Sequence, residues 1–433
     1  MRLIPIIIAV LCCSPLIGQT PFECVQLPAP TLAAKLYGES EPSIAIDPMN
    51  PQIMAAGSIL NNYYYSINGG KTWKSKALKS NYGVWGDPVL LFDYKGRVYY
   101  FHLSNYKKAT WIDRIVCQSA PSVDKSFDDG SFTKPNGTKA QDKHWAAVDP
   151  KTNELFLTWT QFDQYDSKVP TDSSVIMFSK STNQGKTWTE PKRISFFAGD
   201  CLDDDNTVEG AVPVVGPNGE IYVTWTGPKG LVFQCSKDGG TTWLPQERLI
   251  MPHPGGWVFE IPGVYRANGL PILTCDNSNG PNRGTLYMNW CDQRNGLTDT
   301  DVWLSYSKDG GNSWSDPVRV NQDNSKNHQF FTWMTIDQST GFLYFVFYDR
   351  RNHTDETTDV YLSVSTDGGQ SFSDVRISDK PFIPSKSVFF GDYLNIAAVN
   401  GVIRPIWPRM DKGQISLFVT LVEQKELLKS IGR

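Results

Sequence analysis

A short turn motif that recurs along the chain constrains its fold more than any other feature. The motif reads Ser, any residue, Asp or Asn, any residue, Gly, any residue, Thr or Ser, and then an aromatic residue. Asp and Ser side chains bond nearby backbone groups in tight turns, and glycine supplies the positive φ that such turns need. Strand-rich units that recur every roughly 40 to 60 residues are typical of β-propellers. The copies span residues 66–73, 181–188, 236–243, 307–314 and 365–372, with a shortened form at 126–132.

A second repeated pattern predicts the strands between these turns. It reads Gly, any residue, an aliphatic residue, Tyr or Phe, two residues, and then Trp or Phe. It is complete at 219–225, 284–290 and 341–347, and it is weaker at 96–102, 153–159 and 401–407, usually after another short apolar strand. Short strands bounded by Gly, Pro, Asn and Asp, with almost no helical periodicity, indicate an all-β meander. We predict a β-propeller of seven four-stranded antiparallel blades, with six as the alternative; the units begin near Ser43, Asp87, Trp145, Gly210, Pro262, Thr332 and Tyr393.

The two ends of the predicted domain are expected to meet. The seventh unit has three obvious strands, the last at 415–422. We predict that residues 22–28 supply its outer strand, because a closed ring leaves no sheet edge exposed. The propeller then spans 19–422, and residues 423–433 form a charged tail.

Residues 1–18 read as a cleaved secretory signal peptide. Arg2 precedes an apolar run that is too short to cross a bilayer, and small residues follow it. We therefore predict a secreted or periplasmic protein. Six cysteines remain after cleavage, so up to three disulfides are possible, with buried free thiols as the alternative for Cys117 and Cys235.

Charge and composition exclude several classes of partner and cofactor. The net charge is −4, and the lysines and arginines are scattered, so no footprint for nucleic acid is visible. No later stretch has the roughly 20 apolar residues of a membrane span. The run 203–205 lacks a calcium-loop spacing, and His144 and His328 are isolated, so we predict neither a metal nor a cofactor. We expect a monomer.

The long loops of the predicted propeller lie on one face. The turns after each first strand and the recurring turn motif are short, and alternate connections of a meander lie on the same side. Long polar and aromatic loops on a rigid scaffold are where binding residues collect. The candidate site therefore lies on the opposite face, in the loops at 104–113, 161–172, 196–209, 251–261, 292–301, 321–331, 349–359 and 380–391.

The signal peptide, the turn motif (an Asp box) and the blade pattern together resemble the sialidase (neuraminidase) superfamily over nearly the whole mature chain. The resemblance implies hydrolysis of terminal acidic sugars by a tyrosine nucleophile, a glutamate that activates it, an aspartic acid/base and three arginines that bind the substrate carboxylate. Tyr393, in the last blade, matches the nucleophile, and Glu209 matches the glutamate. The family's early Arg-Ile-Pro signature is absent, since Glu41-Pro42-Ser43 stands in its place.

Comparison among the repeats gives further candidates. Alignment of the repeats places five residues at one position beside the axis: Glu41, Asp87, Lys143, Phe331 and Tyr393. Asp142, Glu209 and Asp392 stand one residue earlier. Crowded ionisable groups can shift each other's pKa and supply acid and base. The arginines divide into two structural ones, Arg294 and Arg351, each after an aspartate, and four that depart from the repeat, Arg266, Arg350, Arg404 and Arg409.

Two main functions remain open. The first is an exo-glycosidase on a glycan or glycoconjugate, with Tyr393 as nucleophile, Glu209 as its base, and Asp87 or Glu41 as acid/base. Its substrate-binding residues would be Arg266, Arg350, Arg404, Arg409, Lys143 and Asp392. The second is a non-catalytic propeller that binds glycans or proteins on the same face. A polysaccharide lyase is a third possibility. Trp85, Trp145, Trp257 and Trp333 are candidates for stacking on sugars or for packing.

Overall fold

The computed structural model describes residues 20–29 and 38–433, and these residues form seven four-stranded antiparallel sheets that confirm the seven-bladed propeller. Strand β1 (Glu23–Gln26) belongs to blade 7. Blades 1 to 3 are β2 (Ser43–Ile46), β3 (Met54–Ser58), β4 (Asn62–Ser66), β5 (Lys74–Ala77); β6 (Gly86–Phe92), β7 (Val98–Leu103), β8 (Ile115–Ala120), β9 (Ser131–Phe132); and β10 (Ala140–Val148), β11 (Leu155–Phe162), β12 (Ser174–Ser181), β13 (Lys192–Arg193).

The remaining blades follow the same order. Blade 4 consists of β14 (Glu209–Val215), β15 (Ile221–Thr226), β16 (Leu231–Ser236) and β17 (Arg248–Met251). An extra hairpin follows it, made of β18 (Val258–Phe259) and β19 (Ala267–Asn268). Blades 5 to 7 are β20 (Ile272–Cys275), β21 (Leu286–Asp292), β22 (Asp301–Ser307), β23 (Val318–Arg319); β24 (Gln329–Asp337), β25 (Phe342–Asp349), β26 (Asp359–Ser365), β27 (Ser373–Arg376); and β28 (Asn395–Val399), β29 (Val402–Asp411), β30 (Gln414–Glu423).

The N-terminal strand closes the ring, as predicted. β1 pairs antiparallel with β30, with Glu23 opposite Leu421 and Gln26 opposite Phe418. The pairing continues where the Leu27 N–H donates to the Leu417 carbonyl at 2.8 Å. Blade 7 therefore takes strands from both ends of the chain, and its outer edge is covered.

The recurring motif folds as one hydrogen-bonded turn in every full copy. In the first, Ser66 Oγ accepts from the Gly70 N–H at 2.9 Å, and Asn68 Oδ1 accepts from the Thr72 N–H at 3.0 Å. The indole of Trp73 donates to the Gly70 carbonyl at 2.8 Å and covers the turn. Gly70 needs to be glycine because its φ is +86°.

Large aromatic residues of the second strands fill the spaces between blades. The last residue of the strand pattern is fully buried in blades 3, 4, 5 and 7, and replacing such a tryptophan by alanine costs about 3 to 5 kcal/mol. These residues are Trp159, Trp225, Trp290 and Trp407. The pattern that predicted the strands is therefore also the pattern of the core.

A repeated β-bulge shapes the innermost strands where they reach the loop face. The register shifts between Gly86 and Val89 in β6, and equivalent shifts occur in β10, β14 and β24. One residue inside each bulge is left-handed, which turns the chain at the axis. These residues, with the equivalent one in blade 1, are Glu41 (φ 51°), Asp87 (50°), Lys143 (44°), Gly210 (75°) and Phe331 (52°).

Two further elements flank the ring. The β18–β19 hairpin is inserted before blade 5, on the loop face. The predicted tail forms helix α1 (Gln424–Ser430), which docks through buried Leu427 and through a hydrogen bond from the Tyr344 hydroxyl to Gln424 Oε1. Within residues 20–29 and 38–433, no helix has the length and apolar character needed to cross a membrane.

The six cysteines of the described ranges are all free thiols, so the structure has none of the three possible disulfides there. All but Cys24 are buried. The predicted signal peptide lies outside the described residues.

Candidate functional site

Charged side chains from several blades meet at the axis on the loop face. The bulges bring Glu41, Asp87 and Lys143 together, and Asp392 joins them from the loop before blade 7. Arg266, immediately before β19, pairs with Asp392 of the same group. We call this group the channel cluster, and its members are Glu41, Asp87, Asp142, Lys143, Asp203, Glu209, Arg266 and Asp392.

Asp392 is the anionic centre of the cluster. Lys143 Nζ lies 2.5 Å from its Oδ2, and Arg266 binds both carboxylate oxygens, with Nε 2.6 Å from Oδ1. The Asn268 side-chain amide also donates to the Asp392 carbonyl at 3.0 Å. Burial alone would raise the pKa of Asp392, but Arg266 and Lys143 hold it well below its usual range. Asp392 is therefore ionised, and it forms ion pairs with both Lys143 and Arg266.

Glu209 has the opposite environment. Its side chain is 1% exposed, and neither carboxyl oxygen accepts a hydrogen bond from an N–H or O–H donor of the residues that the structure describes. Its side-chain hydrogen bond is with the carboxyl group of Asp203. Asp203 lines the same small cavity, and its carboxylate accepts from the Tyr165 hydroxyl at 2.7 Å and lies 3.3 Å from Arg266 Nη1. Burial, and then the charge of Asp203, raise the pKa of Glu209 well above its usual range.

Two more carboxyl groups of the cluster have raised pKa values. Burial, only partly offset by Lys143, raises the pKa of Glu41 well above its usual range. Burial and the charge of Asp87 raise the pKa of Asp142 to about 7. Six carboxyl groups crowd around two cations here, so protonation relieves their repulsion. The cluster thus combines carboxylic acids with anchored carboxylates, the arrangement that separates an acid from a base.

Tyr393 lies at the axis but differs from its sequence-aligned partners. It keeps a negative φ, and Gly391, two residues earlier, is left-handed instead. Its ring packs against Trp145 and Trp333, at centroid distances of 5.9 and 5.8 Å, and Lys143 Nζ is 5.9 Å from the ring centre. Burial and the charges of Asp87 and Glu41 raise the pKa of Tyr393 well above 10. Within the described residues it has no hydrogen bond to Glu209; its role as nucleophile stays a prediction.

Three of the four predicted substrate-binding arginines lie away from the cluster. Arg404 is buried at the turn face, where it donates to the backbone carbonyls of Gly69 and Val422. Arg409 pairs with Asp379 and Asp411 on blade 7, and Arg350 lines a separate cavity. Of these four, Arg266 alone joins the channel cluster, so no three-arginine group forms beside Tyr393 within residues 20–29 and 38–433. The two predicted structural pairs, Arg294 with Asp292 and Arg351 with Asp349, are confirmed.

The β18–β19 hairpin covers the cluster. Arg266 and Asn268 bond Asp392, and the Val258 N–H donates to Asp205 Oδ1 at 2.8 Å. The cavity left beside Glu209 measures about 40 Å³, enough for a water molecule and too small for a sugar. A glycan therefore reaches Glu209 only when the hairpin moves.

Sequence reasoning missed Asp203, Tyr165 and Asn268. In the sequence, Asp203 belongs to an acidic run without a calcium-loop spacing, whereas in the structure Tyr165 and Arg266 bind its carboxylate. The available signal was its place six residues before Glu209 in a long loop of the predicted working face. No three His, Cys, Asp or Glu side chains of the described chain form a metal-ligating group.

An exposed aromatic pair stands beside the cluster. Trp85 is 40% exposed and Trp111 is 38% exposed, and their ring centres are 5.9 Å apart. Trp111 also contacts Tyr165 at 5.6 Å, and the Tyr165 hydroxyl bonds Asp203. A continuous aromatic path therefore leads from the protein surface to the channel cluster.

Comparison with known proteins identifies the fold alone. No family model matches this chain, and no curated protein matches it. Among solved structures, an ulvan lyase of polysaccharide lyase family 25 matches with a TM-score of 0.52 and 11% identity, over 94% of this chain and 99% of that one. The NanB sialidase from Streptococcus pneumoniae matches with a TM-score of 0.50 and 10% identity, over 91% and 86%. A Hadza microbial sialidase matches with a TM-score of 0.47 and 14% identity, over 88% and 75%. The chain has a sialidase-like propeller fold.

Proposed function

We propose that this protein is a glycoside hydrolase that acts on glycans at the channel cluster, with Glu209 as general acid. The observation that carries the proposal is the buried Glu209 carboxyl group, which lies beside a small cavity, is bonded to the Asp203 carboxyl group and has a raised pKa. A carboxyl group with a raised pKa keeps its proton to a higher pH than an ordinary one and can donate it to a departing glycosidic oxygen. The structural neighbours, sialidases and a polysaccharide lyase, support a carbohydrate-active propeller.

Asp203 is the partner that we assign as base. Its carboxylate is held by donors from Tyr165 and Arg266 beside Glu209, so one carboxyl group gives a proton while the other accepts one. A water molecule attacks the anomeric carbon and passes its proton to Asp203, and the leaving oxygen takes the Glu209 proton. Direct attack by water needs the two carboxyl groups roughly 6.5–9.5 Å apart, so Asp203 has to move away from its contact with Glu209 when the hairpin opens and a glycan enters.

The surrounding surface supports a sugar ligand. Trp85 and Trp111 offer flat apolar faces within reach of the cluster, and the apolar C–H face of a pyranose packs well on such rings. We also propose that the terminal sugar is acidic, that the protein is exported and that it is a monomer.

The direct test measures hydrolysis of aryl glycosides and polysaccharides, both neutral and acidic, by new reducing ends. E209Q is expected to lose far more activity on glycosides with poor leaving groups than on dinitrophenyl glycosides, because good leaving groups need little protonation. E190Q is the matched control, since Glu190 is exposed and pairs only with Lys134. Equal loss on both substrate types would reject Glu209 as the acid.

Two more variants separate the remaining roles. D203N removes the base that we assign, and Y393F tests the nucleophile that the sequence predicts. Retained activity in Y393F with loss in D203N supports direct attack by water, and the reverse supports Tyr393. Unsaturated sugar products with ultraviolet absorbance would instead reveal a lyase.

A non-catalytic glycan-binding propeller is the second candidate. Two observations favour it: Asp392 already forms ion pairs with both Lys143 and Arg266, and the cavity beside Glu209 is small. Saturable glycan binding without any product from the wild-type protein would establish it.

A further inference from the structure

A second cavity on the loop face contains a buried arginine without an ionic partner. The cavity measures about 480 Å³, and Arg350, His328 and His353 line it. The Arg350 side chain is 3% exposed; its Nε donates to Thr358 Oγ1 at 3.0 Å, and its Nη2 has no hydrogen-bond partner. No carboxylate in the described ranges forms an ion pair with this guanidinium.

Its neighbours in sequence and in the repeat show that this state is unusual in the molecule. Arg351, the next residue, lies 2.6 Å from Asp349 and 2.8 Å from Asp374. In blade 5 the position before Arg294 is Gln293, an uncharged residue. Arg350 is thus an extra charge added to the repeat, and no acidic partner was added with it.

An unpaired buried charge is costly, so a ligand that pairs with it is favoured. The planar guanidinium matches the two oxygens of a carboxylate or a sulfate in a bidentate contact. We propose that this cavity binds an oxyanion, the carboxylate or sulfate ester of an acidic glycan, through Arg350. The identification of the ligand as a glycan rests on the proposed function, whereas binding of the oxyanion itself does not.

The other charged groups of the cavity limit what it accepts. Asp355 and Glu356 are exposed on its wall, and their charges offset part of the effect of burial, which lowers the pKa of Arg350 to about 10. Arg350 is therefore protonated at neutral pH. His353 Nε2 is already bonded to Asp359 at 2.8 Å, and burial and the Arg350 charge lower the pKa of His328 to about 4, so His328 is neutral. Within the described residues, the Arg350 guanidinium is therefore the cationic group of this cavity that has no carboxylate partner.

The location of the cavity defines the orientation in which a glycan would bind. The cavity is lined by Pro262 from the hairpin segment and by residues of the blade 6 loops, so it opens on the same face as the channel cluster. The cavity would then hold the acidic group of a second sugar of the glycan, away from Glu209, where the terminal sugar is cleaved.

The test measures binding of sodium sulfate and of sodium glucuronate by calorimetry, with sodium chloride at matched ionic strength as the salt control. Saturable binding to the wild-type protein is expected, weakened roughly tenfold or more in R350Q, because hydrogen bonds to a charged group are lost. R283Q is the control, since Arg283 is exposed at the turn face and bonds only backbone carbonyls. E356Q is expected to bind more tightly, because it removes a repelling charge.

Thermal unfolding gives an independent readout. R350Q is expected to melt no lower than the wild type, because it removes an unpaired buried charge, while losing the stabilisation by sulfate or glucuronate. If R350Q does not fold, the test relies on E356Q, and an affinity of E356Q for sulfate and glucuronate equal to that of the wild type overturns the proposal. Absence of saturable binding to the wild type, or equal binding by R350Q, also overturns it. Preference for glucuronate over sulfate identifies the carboxylate as the ligand, and the opposite preference identifies the sulfate ester.

The two proposals fail separately. Oxyanion binding through Arg350 without any hydrolysis would reject the glycosidase and keep this site. Hydrolysis that is unaffected by R350Q on acidic and neutral substrates alike would reject this site and keep the glycosidase.

Discussion

The buried carboxyl group of Glu39 makes the stability of blade 1 depend on pH. Glu39 is buried, and it accepts a hydrogen bond from the Tyr64 hydroxyl. Burial, partly opposed by that bond, raises the pKa of Glu39 from 4.5 to about 7. The folded protein therefore binds this proton more tightly than the unfolded chain does. The contribution to stability is complete below pH 4.5 and is lost as the pH rises towards 7.

The substitution E39Q keeps the shape of the protonated acid and cannot ionise. The difference between the folded and unfolded pKa values corresponds to about 3 kcal/mol at pH 8, so the free energy of unfolding of E39Q should exceed that of the wild type by about that amount there. At pH 4.5 the two proteins should be nearly equal. Because both carry every other titrating group, the pH dependence of those groups cancels in the comparison.

Denaturant unfolding, followed by tryptophan fluorescence at pH 4.5 and pH 8, measures this difference directly. Y64F is the companion variant: loss of the hydroxyl that favours the ionised form should make the stability fall more steeply with pH. A difference between E39Q and the wild type that is the same at both pH values, or an E39Q protein that is less stable at pH 8, would refute the reasoning.

Three further predictions follow from the contacts. R404M should lower the free energy of unfolding by about 3 kcal/mol in denaturant melts, because it leaves buried carbonyl acceptors at the junction of blades 1 and 7 without donors. R266Q should speed hydrogen exchange in the hairpin at 258–268 and leave other blades unchanged, because it breaks the main tie to the channel cluster. W111A should weaken glycan binding in calorimetry, whereas Y94A, an equally exposed aromatic residue at the turn face, should bind like the wild type.

The sequence predicted the parts of the molecule that depend on local repetition. Turn residues at fixed offsets recur, and so does a buried tryptophan in four of the blades, so the blade count and the closing strand β1 could be predicted and are confirmed. The hairpin could not be placed, because Arg266 meets Asp392 across 126 residues and no repeat reports that contact. Arg404 had a usable signal: it lies three residues after the turn at Gly401, and that short distance puts it at the turn face.

The bulge position shows how one repeated geometry produces a site of mixed chemistry. The backbone fixes where a side chain meets the axis, while the blades supply different residues there: Glu41, Asp87 and Lys143 in blades 1 to 3, Gly210 in blade 4 and Phe331 in blade 6. Blade 5 has no such bulge, and Leu270 lines the same cavity from the segment before it. One half of the rim is therefore charged and the other half apolar. A pyranose ring has polar edges and an apolar face, so it can satisfy both halves at once, whereas a free ion would use only the first. A rim divided in this way favours a sugar at the channel cluster. The repeats of this chain therefore share a backbone shape at the axis while their side chains differ in chemistry.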